Sequence, residues 1–371
     1  MATREPGGTS NARALVKKRS RTDVKTGPDA LTTRADAPRF GHDIVVIGGS
    51  AGALEPLTKI VSMLPPTFAA SLLVVVHRAA DSPQLLAQIL RREAGLDAVE
   101  AVDGTPIEHG VIYIAPSDRH LLIEEGAVRV IRGPKENRHR PAIDPLFRSA
   151  AWSYGPRVIG VLLSGGLSDG TAGLWAIRTC GGTTIVQDPD DARFASMPRS
   201  AIASLDPDYC VNADDIANIL ARVVSEPAKD RRDFPVPEQV KLESQMVQMD
   251  NDDIAHIERI GKLSPFTCPS CHGSLWEIDD KHVLRYRCHT GHGFTAESLA
   301  EDEDDTVEGA LFSALRALEE SALLARRLAQ RAQGVANVHS ARSWDQKARD
   351  AERNADILRG LLYSGAGSEK G

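Results

Sequence analysis

No run of about eighteen consecutive apolar residues occurs in the chain, so no transmembrane helix is expected. An excess of positive charge is missing too. The formal net charge is −7, which argues against a nucleic-acid binder, because the phosphate backbone demands a basic surface. Residues 1–40 carry Arg, Lys, Thr, Pro and Gly but lack the apolar stretch of a secretory signal. With so little to bury, they read as a disordered, mildly basic arm. Cysteine is scarce and odd in number, five in all: Cys180, Cys210, Cys268, Cys271 and Cys288. An odd count with three members clustered at metal spacing fits a reducing cytoplasm better than a disulfide framework.

What is present suits a protein of more than one unit, since 371 residues exceed an ordinary domain. From Asp43 to about Cys210, short β-branched runs alternate with helical patterns. Asp43–Ile47, Ser71–Val76, Val111–Ala115, Val158–Leu163 and Thr183–Gln187 read as buried strands, and Leu54–Met63 and Gln84–Arg92 as helices. Such alternation predicts an α/β fold, a doubly wound, mostly parallel sheet covered on both faces. Leu121–Ile131, with Glu124-Glu125-Gly126 between apolar runs, reads as a hairpin. The catalytic-type domain is expected over 41–224. The polar stretch 225–264, with three prolines, reads as an exposed linker holding a short helix. A Cys/His module over 265–300 and an antiparallel helical hairpin over 305–364 complete the expected order. In the hairpin, Leu311, Leu315, Leu318, Ala322, Ala325 and Leu328 share one face, and Trp344, Ala348, Ala351, Ala355 and Leu358 another.

Three reactive side chains fall just beyond strand ends. Asp43–Ile47 runs into Gly48-Gly49-Ser50-Ala51-Gly52, a small-residue turn that leaves a serine hydroxyl exposed before a helix. Ser71–Val76 ends at His77, and Val158–Leu163 is followed by Asp169 among glycines. Singly, each has an ordinary explanation: a glycine turn of a nucleotide fold, a structural histidine, a turn aspartate. Ser50 and Ala53 stand where the dinucleotide fingerprint needs glycines, so that pattern is absent. Together they match one chemistry, in which Ser50 needs His77 to accept its proton and Asp169 to orient the imidazole.

Farther on, Cys268-x2-Cys271 and Cys288-x3-His292 give four ligands at structural zinc spacing, with His289 and His272 as rivals for the fourth place. A full set of protein ligands leaves no open coordination position, so the metal's role would be structural.

Six segments in order carry a family resemblance: Ile47–Leu57, the His77 strand end, Ile114–Ile123, Asn137–Phe147, Leu162–Leu174 and Ser196–Ala201. They resemble the catalytic domain of the CheB-type chemotaxis receptor methylesterases, over roughly 42–224. The resemblance implies hydrolysis of glutamate γ-methyl esters on methyl-accepting chemotaxis receptors, with deamidation of receptor glutamines by the same acyl-enzyme route and no cofactor for catalysis. It implies Ser50 as nucleophile, His77 as general base and Asp169 as orienting acid. It further implies an oxyanion loop of Ala51, Gly165, Gly166 and Leu167, and a substrate surface including Arg138, Arg140 and Met197; the basic run Asn137–Pro141 that holds both arginines reads either as a contact for acidic receptor segments or as a solvated charged loop. The segment Gly291-His292 is similar to that of receiver-less homologues and favours His292 as ligand.

Departures are Ala51, Ala53, Gly166 and Arg78-Ala79-Ala80, which bear on substrate choice. Residues 1–40 are too few for the phosphorylatable receiver of typical members. Control is therefore expected from the C-terminal region or from another protein, and a receptor methyltransferase or a separate response regulator is expected as a further partner. Those departures keep open a second class of function, a signalling adaptor that binds partners without turnover.

Overall fold

The central sheet owes its position to strands whose side chains are apolar on both faces. In the computed structural model, which describes residues 41–248, 253–279 and 282–365, the strands of this region are β1 (Ile44–Gly49), β2 (Ser71–Val76), β3 (Asp97–Glu100), β4 (Val111–Ile114), a separate hairpin β5 (His120–Glu124) and β6 (Ala127–Ile131), then β7 (Val158–Leu162), β8 (Thr183–Gln187) and β9 (Tyr209–Val211). Seven of them pair in the order β3-β4-β2-β1-β7-β8-β9, every pair parallel. Alternate residues of β1 face opposite layers: Ile44 and Val46 join one apolar cluster, Val45 and Ile47 the other. Two-sided burial of this kind is what parallel strands require.

Helices α1 (Leu54–Met63), α2 (Leu86–Glu93), α3 (Ile143–Tyr154), α4 (Thr171–Thr179), α5 (Ser196–Ser204) and α6 (Ala213–Val224) cover the two faces. The expected strands and the helix Leu54–Met63 form, most within two residues of their predicted ends, and the expected hairpin is β5–β6. The short strands β3 and β9 were not expected. Helix α3 is buried along nearly its whole length and packs so closely on β1 that a Cβ at Gly48 would stand 2.3 Å from Ile143 Cγ2. The chain runs from β1 to β2 on one side and returns to β7 on the other. The switch point, where open α/β sheets form their crevices, is therefore the carboxyl end of β1.

The expected linker is a structured connection instead. Helix α7 (Glu238–Val247) buries Val240, Leu242, Glu243, Ser244, Met246 and Val247, and α8 (Asp253–Ile260) leads into a second sheet. That sheet is antiparallel, β10 (Lys262–Thr267), β11 (Ser274–Asp279), β12 (Leu284–Cys288) and β13 (Gly293–Thr295) in sequence order. Helices α9 (Ala296–Gly334) and α10 (Val338–Gly365) form the expected hairpin, and α9 starts before the acidic run rather than after it. Its seam is alanine-rich: Ala322, Ala325 and Ala329 with Ala348, Ala351 and Ala355, all buried. Arg326 ties the two helices through Glu352 and Asp345. No helix among the described residues is long and apolar enough to cross a membrane. The arm expected over 1–40 lies outside the described residues.

Candidate active site

Strand register decides how near the serine and histidine lie. Gly49 pairs with Val76, and the His77 N–H donates to the Gly49 carbonyl at 3.1 Å. Ser50 and His77 therefore follow paired residues on adjacent strands, whose backbones run about 4.8 Å apart. The Ser50 N–H donates to the Ser164 carbonyl at 3.0 Å, tying the turn to the end of β7. Asp169 reaches the same rim from beyond β7: its Oδ2 lies 2.7 Å from His77 Nε2, with both side chains almost wholly buried. His77 Nδ1 is buried and has no hydrogen-bond partner among the described residues. Ser50 Oγ makes no hydrogen bond to any described residue, so the histidine and aspartate are bonded to each other while the hydroxyl is left unengaged.

Asp169 is held from several sides. Its Oδ2 also accepts from the Ile143 N–H (2.7 Å), and its Oδ1 accepts from Asn137 Nδ2 (2.8 Å), the Gly170 N–H (3.0 Å) and the Asp144 N–H (3.2 Å). Ile143 and Asp144 open α3, so a helix N-terminus faces the carboxylate, where its dipole favours negative charge. Burial pushes the Asp169 pKa up. The hydrogen bond and charge of His77, with the Ile143 and Asn137 donors, outweigh it and hold the carboxyl well below the ordinary range. Asp144 behaves oppositely: burial and the charge of Asp169 push it up to about 7.

One loop supplies neighbours to both members. Asn137 and Arg138 have left-handed backbones, with φ of 49° and 72°, which turn successive side chains in different directions. Asn137 reaches Asp169 and also donates to Asp144 at 3.0 Å. The His139 ring stacks on His77 with centroids 3.6 Å apart, and burial and the charge of His77 lower its pKa to about 4. The sequence marks this loop only as a basic run; the roles of Asn137, His139 and Asp144 depend on contacts across the fold.

The remaining expected residues divide. Gly165 stands against the serine, since a Cβ there would meet Met197 Sδ at 2.7 Å and Ser50 Cβ at 3.0 Å. Its N–H donates to the Phe194 carbonyl (3.0 Å), so it supplies space rather than an oxyanion donor. The N–H groups of Ala51 and Gly166 donate to no described residue, and Gly166 is exposed, with nothing within 4 Å of where a Cβ would stand. Leu167 is left-handed, φ 58°, and carries the turn toward Asp169. Met197 is fully buried beneath the loop, which removes it from an exposed substrate surface. Arg140 is committed to Asp118 (2.6 and 2.9 Å) and the Gly133 carbonyl (2.7 Å), where it fixes the loop. Arg138 alone of the three faces outward, toward α9.

The second sheet is joined to this site. Gly293 of β13 accepts from the Asn137 N–H (2.8 Å), and Asn137 Oδ1 accepts from the Thr295 N–H (2.8 Å) and Ser298 Oγ (3.2 Å). Ser168, beside Asp169, hydrogen-bonds Thr295 Oγ1 at 2.7 Å and Glu297 at 3.1 Å. Behind them lies a buried ion cluster. Glu136 accepts from Arg148 (2.7 Å) and Arg287 (2.9 Å), and Glu243 pairs with Arg285 (3.0 Å) and Arg287 (3.5 Å). Burial raises the Glu136 pKa, yet the Arg148 and Arg287 charges prevail and bring it to about 2.

Cys268, Cys271, Cys288 and His292 offer ligand atoms all within 4.8 Å of one another. The turn that gathers them is bonded by the Cys268 N–H to the Gly273 carbonyl and the His272 N–H to the Cys268 carbonyl, both 2.8 Å. The Cys271 and Cys288 sulfurs are 3.6 Å apart, and Cys288 Sγ is 3.5 Å from His292 Nδ1. Tetrahedral zinc bonds would set these separations at about 3.8 Å and 3.5 Å, so the donor set fits such an ion. Hydrogen bonding from Cys268 pulls Cys288 down, while the same bond pushes Cys268 up. The cluster can hold a metal, and His292 rather than His289 or His272 completes it.

Known proteins resemble about half of the chain. The CheB methylesterase family model matches residues 45–220. A Leptospira interrogans (strain Fiocruz L1-130) protein named "Putative protein-glutamate methylesterase/protein-glutamine glutaminase" is 37% identical over 185 residues, 50% of this chain and 96% of its own length. An Anaeromyxobacter dehalogenans "Protein-glutamate methylesterase/protein-glutamine glutaminase 2" is 40% identical over 178 residues, 48% of this chain and 52% of that protein. The crystal structure of the Thermotoga maritima CheB methylesterase catalytic domain is 35% identical, with a TM-score of 0.47, covering 49% of this chain and 98% of that one.

Proposed function

The chain belongs to the CheB methylesterase family, and we propose that it hydrolyses glutamate γ-methyl esters of chemotaxis-type receptors through a serine acyl-enzyme. The observation that carries this reading is the bond between His77 Nε2 and Asp169, 2.7 Å, which leaves the buried Nδ1 as the free base at the strand end beside Ser50. Ser50 Oγ attacks the ester carbonyl while His77 Nδ1 takes its proton. Asp169, kept ionised by its donors, stabilises the imidazolium that results. The oxyanion accepts from the Ala51 and Gly166 N–H groups, which stand free to donate. His77 returns the proton to the departing methoxide, methanol leaves, and a water activated at the same Nδ1 hydrolyses the acyl-enzyme. A glutamine side chain on the same path would release ammonia, as the names of the relatives suggest.

The Cys268, Cys271, Cys288 and His292 set would hold a structural zinc ion. With four protein ligands it would leave no open position, and it would fold the small sheet rather than take part in the chemistry. We place the reaction in the cytoplasm, where thiols stay reduced.

Purified protein is expected to release methanol from methylated receptor membranes, and Ser50→Ala to lower that rate by roughly six orders of magnitude with the fold intact. A fluorophosphonate probe should label Ser50 in parallel. Folded protein that takes up no probe and releases no methanol would instead be an adaptor that binds partners without turnover.

A further inference from the structure

Arg138 sits between the two residues that touch the acid and the base, Asn137 on Asp169 and His139 on His77. Its guanidinium points the other way and is ringed by three carboxylates from the start of α9: Asp302 at 2.8 Å, Glu301 at 3.3 Å and Asp305 at 2.5 Å. Arg138, with Lys135 acting on Asp302 as a second cation, faces three anions, so the acidic turn keeps surplus negative charge. Burial pushes the Asp302 carboxyl up, and neighbouring Asp305 and Glu301 add to this against Arg138.

The ion pairs are not needed to dock α9. That is done upstream by Thr295 and Ser298, whose bonds to Asn137 and Ser168 are buried. Glu301 and Asp305, in contrast, are half exposed, and ion pairs at such positions are weak, salt-screened and easily exchanged. Arg138 thus presents an outward, planar guanidinium suited to carboxylates, and an acidic helical turn of the same chain already occupies it.

We infer that Arg138 is the docking residue for an acidic helical segment of the substrate protein and that the Glu301–Asp305 turn of α9 competes for that seat. The inference rests on the methylesterase reading, since it names what lies next to the scissile glutamyl ester. An incoming acidic helix must displace the turn, so the tail restrains the enzyme toward acidic helical substrates and not toward small uncharged esters.

The test uses the full chain carrying Ser50→Ala, so that binding is read without turnover. The probe is a fluorescein-labelled synthetic peptide of residues 296–315 of this chain, with a control peptide in which positions 301, 302 and 305 are amides. Fluorescence anisotropy at low salt should show roughly tenfold tighter peptide binding when the tail carries Glu301→Gln, Asp302→Asn and Asp305→Asn. Adding Arg138→Gln should abolish it, and the control peptide should not bind. With Ser50 restored, the neutralised tail should leave hydrolysis of p-nitrophenyl acetate unchanged. If the triple variant fails to fold, Glu301→Gln with Asp305→Asn, both exposed, gives the same comparison. Equal peptide binding with native and neutralised tails, or binding that survives Arg138→Gln, overturns the inference. Loss of methanol release alone would overturn the methylesterase reading and leave the binding result standing.

Discussion

On both faces of the parallel sheet, side chains such as Leu73 and Val74 are fully buried among aliphatic neighbours, whereas the antiparallel sheet has two small clusters, Leu275, Tyr286, Phe294 and Leu299 around its cysteines and Ile278 with Met246 and Ile257. The first region has apolar area enough to fold by burial. Beside that small apolar contact, the second joins its neighbour through charge and hydrogen bonds: Arg285 and Arg287 on Glu243 and Glu136, and Thr295 on Asn137. Buried ion pairs fix geometry but contribute little net stability, because desolvation offsets their attraction. The difference separates two tasks. Ser50, His77 and Asp169 stand on the rim of the rigid sheet, while the region held by polar links supports and covers that rim.

The comparison is sharpest in stability. Leu73→Ala should cost about 2–5 kcal/mol and lower the main unfolding transition. Cys288→Ser should abolish metal uptake, measured by elemental analysis, and melt the antiparallel sheet while the main transition stays nearly fixed in calorimetry. Equal shifts of a single transition on metal removal would show one cooperative unit and break the contrast.

A smaller effect is expected where the two regions meet. Asn137→Ala strips donors from Asp169 and Asp144 and orphans the Thr295 N–H. Buried groups left unpaired cost about 1–3 kcal/mol each, so kcat for methanol release should fall on the order of tenfold or more. A kcat equal to that of the parent protein would mean that α3 holds Asp169 unaided.

The smallest effect concerns pH. The His139 pKa is depressed to about 4, so its contribution is fully present above its ordinary value of 6.5 and is lost as pH falls toward 4. Asp144 is raised to about 7, so its contribution is present below 3.8 and is lost as pH rises through 7. The two oppose each other between these limits. His139→Asn removes the first, and its Tm should recover relative to the parent by a few °C as pH falls from 6.5 to 4. A difference in Tm that is flat with pH would assign the stacked ring no titration of its own.

Much of the sheet was legible because its signals are local. The β-branched runs at 71–76 and 183–187 became strands with those bounds, and the expected turn at Glu124-Glu125-Gly126 became the hairpin, with Glu124 still in its first strand. Helix α3 was not expected, although Ile143, Leu146, Phe147, Ala150, Ala151 and Tyr154 recur at helical spacing; the burial of Asp144, Arg148 and Ser149 as well depends on partners elsewhere in the fold. The polar stretch 225–264 read as exposed for a related reason. Glu243 is buried there because arginines on α3 and β12, far away in the chain, meet it.

By itself the sequence determined which reactive groups end which strands and which cysteines and histidines fall at ligand spacing, because both are short-range patterns of backbone geometry and side-chain chemistry. Only the tertiary structure decided that Asn137 braces Asp169, that His139 stacks on His77, and that Arg138 faces the tail rather than open solvent. Those contacts join residues distant in the chain, and packing energy rather than local preference selects them.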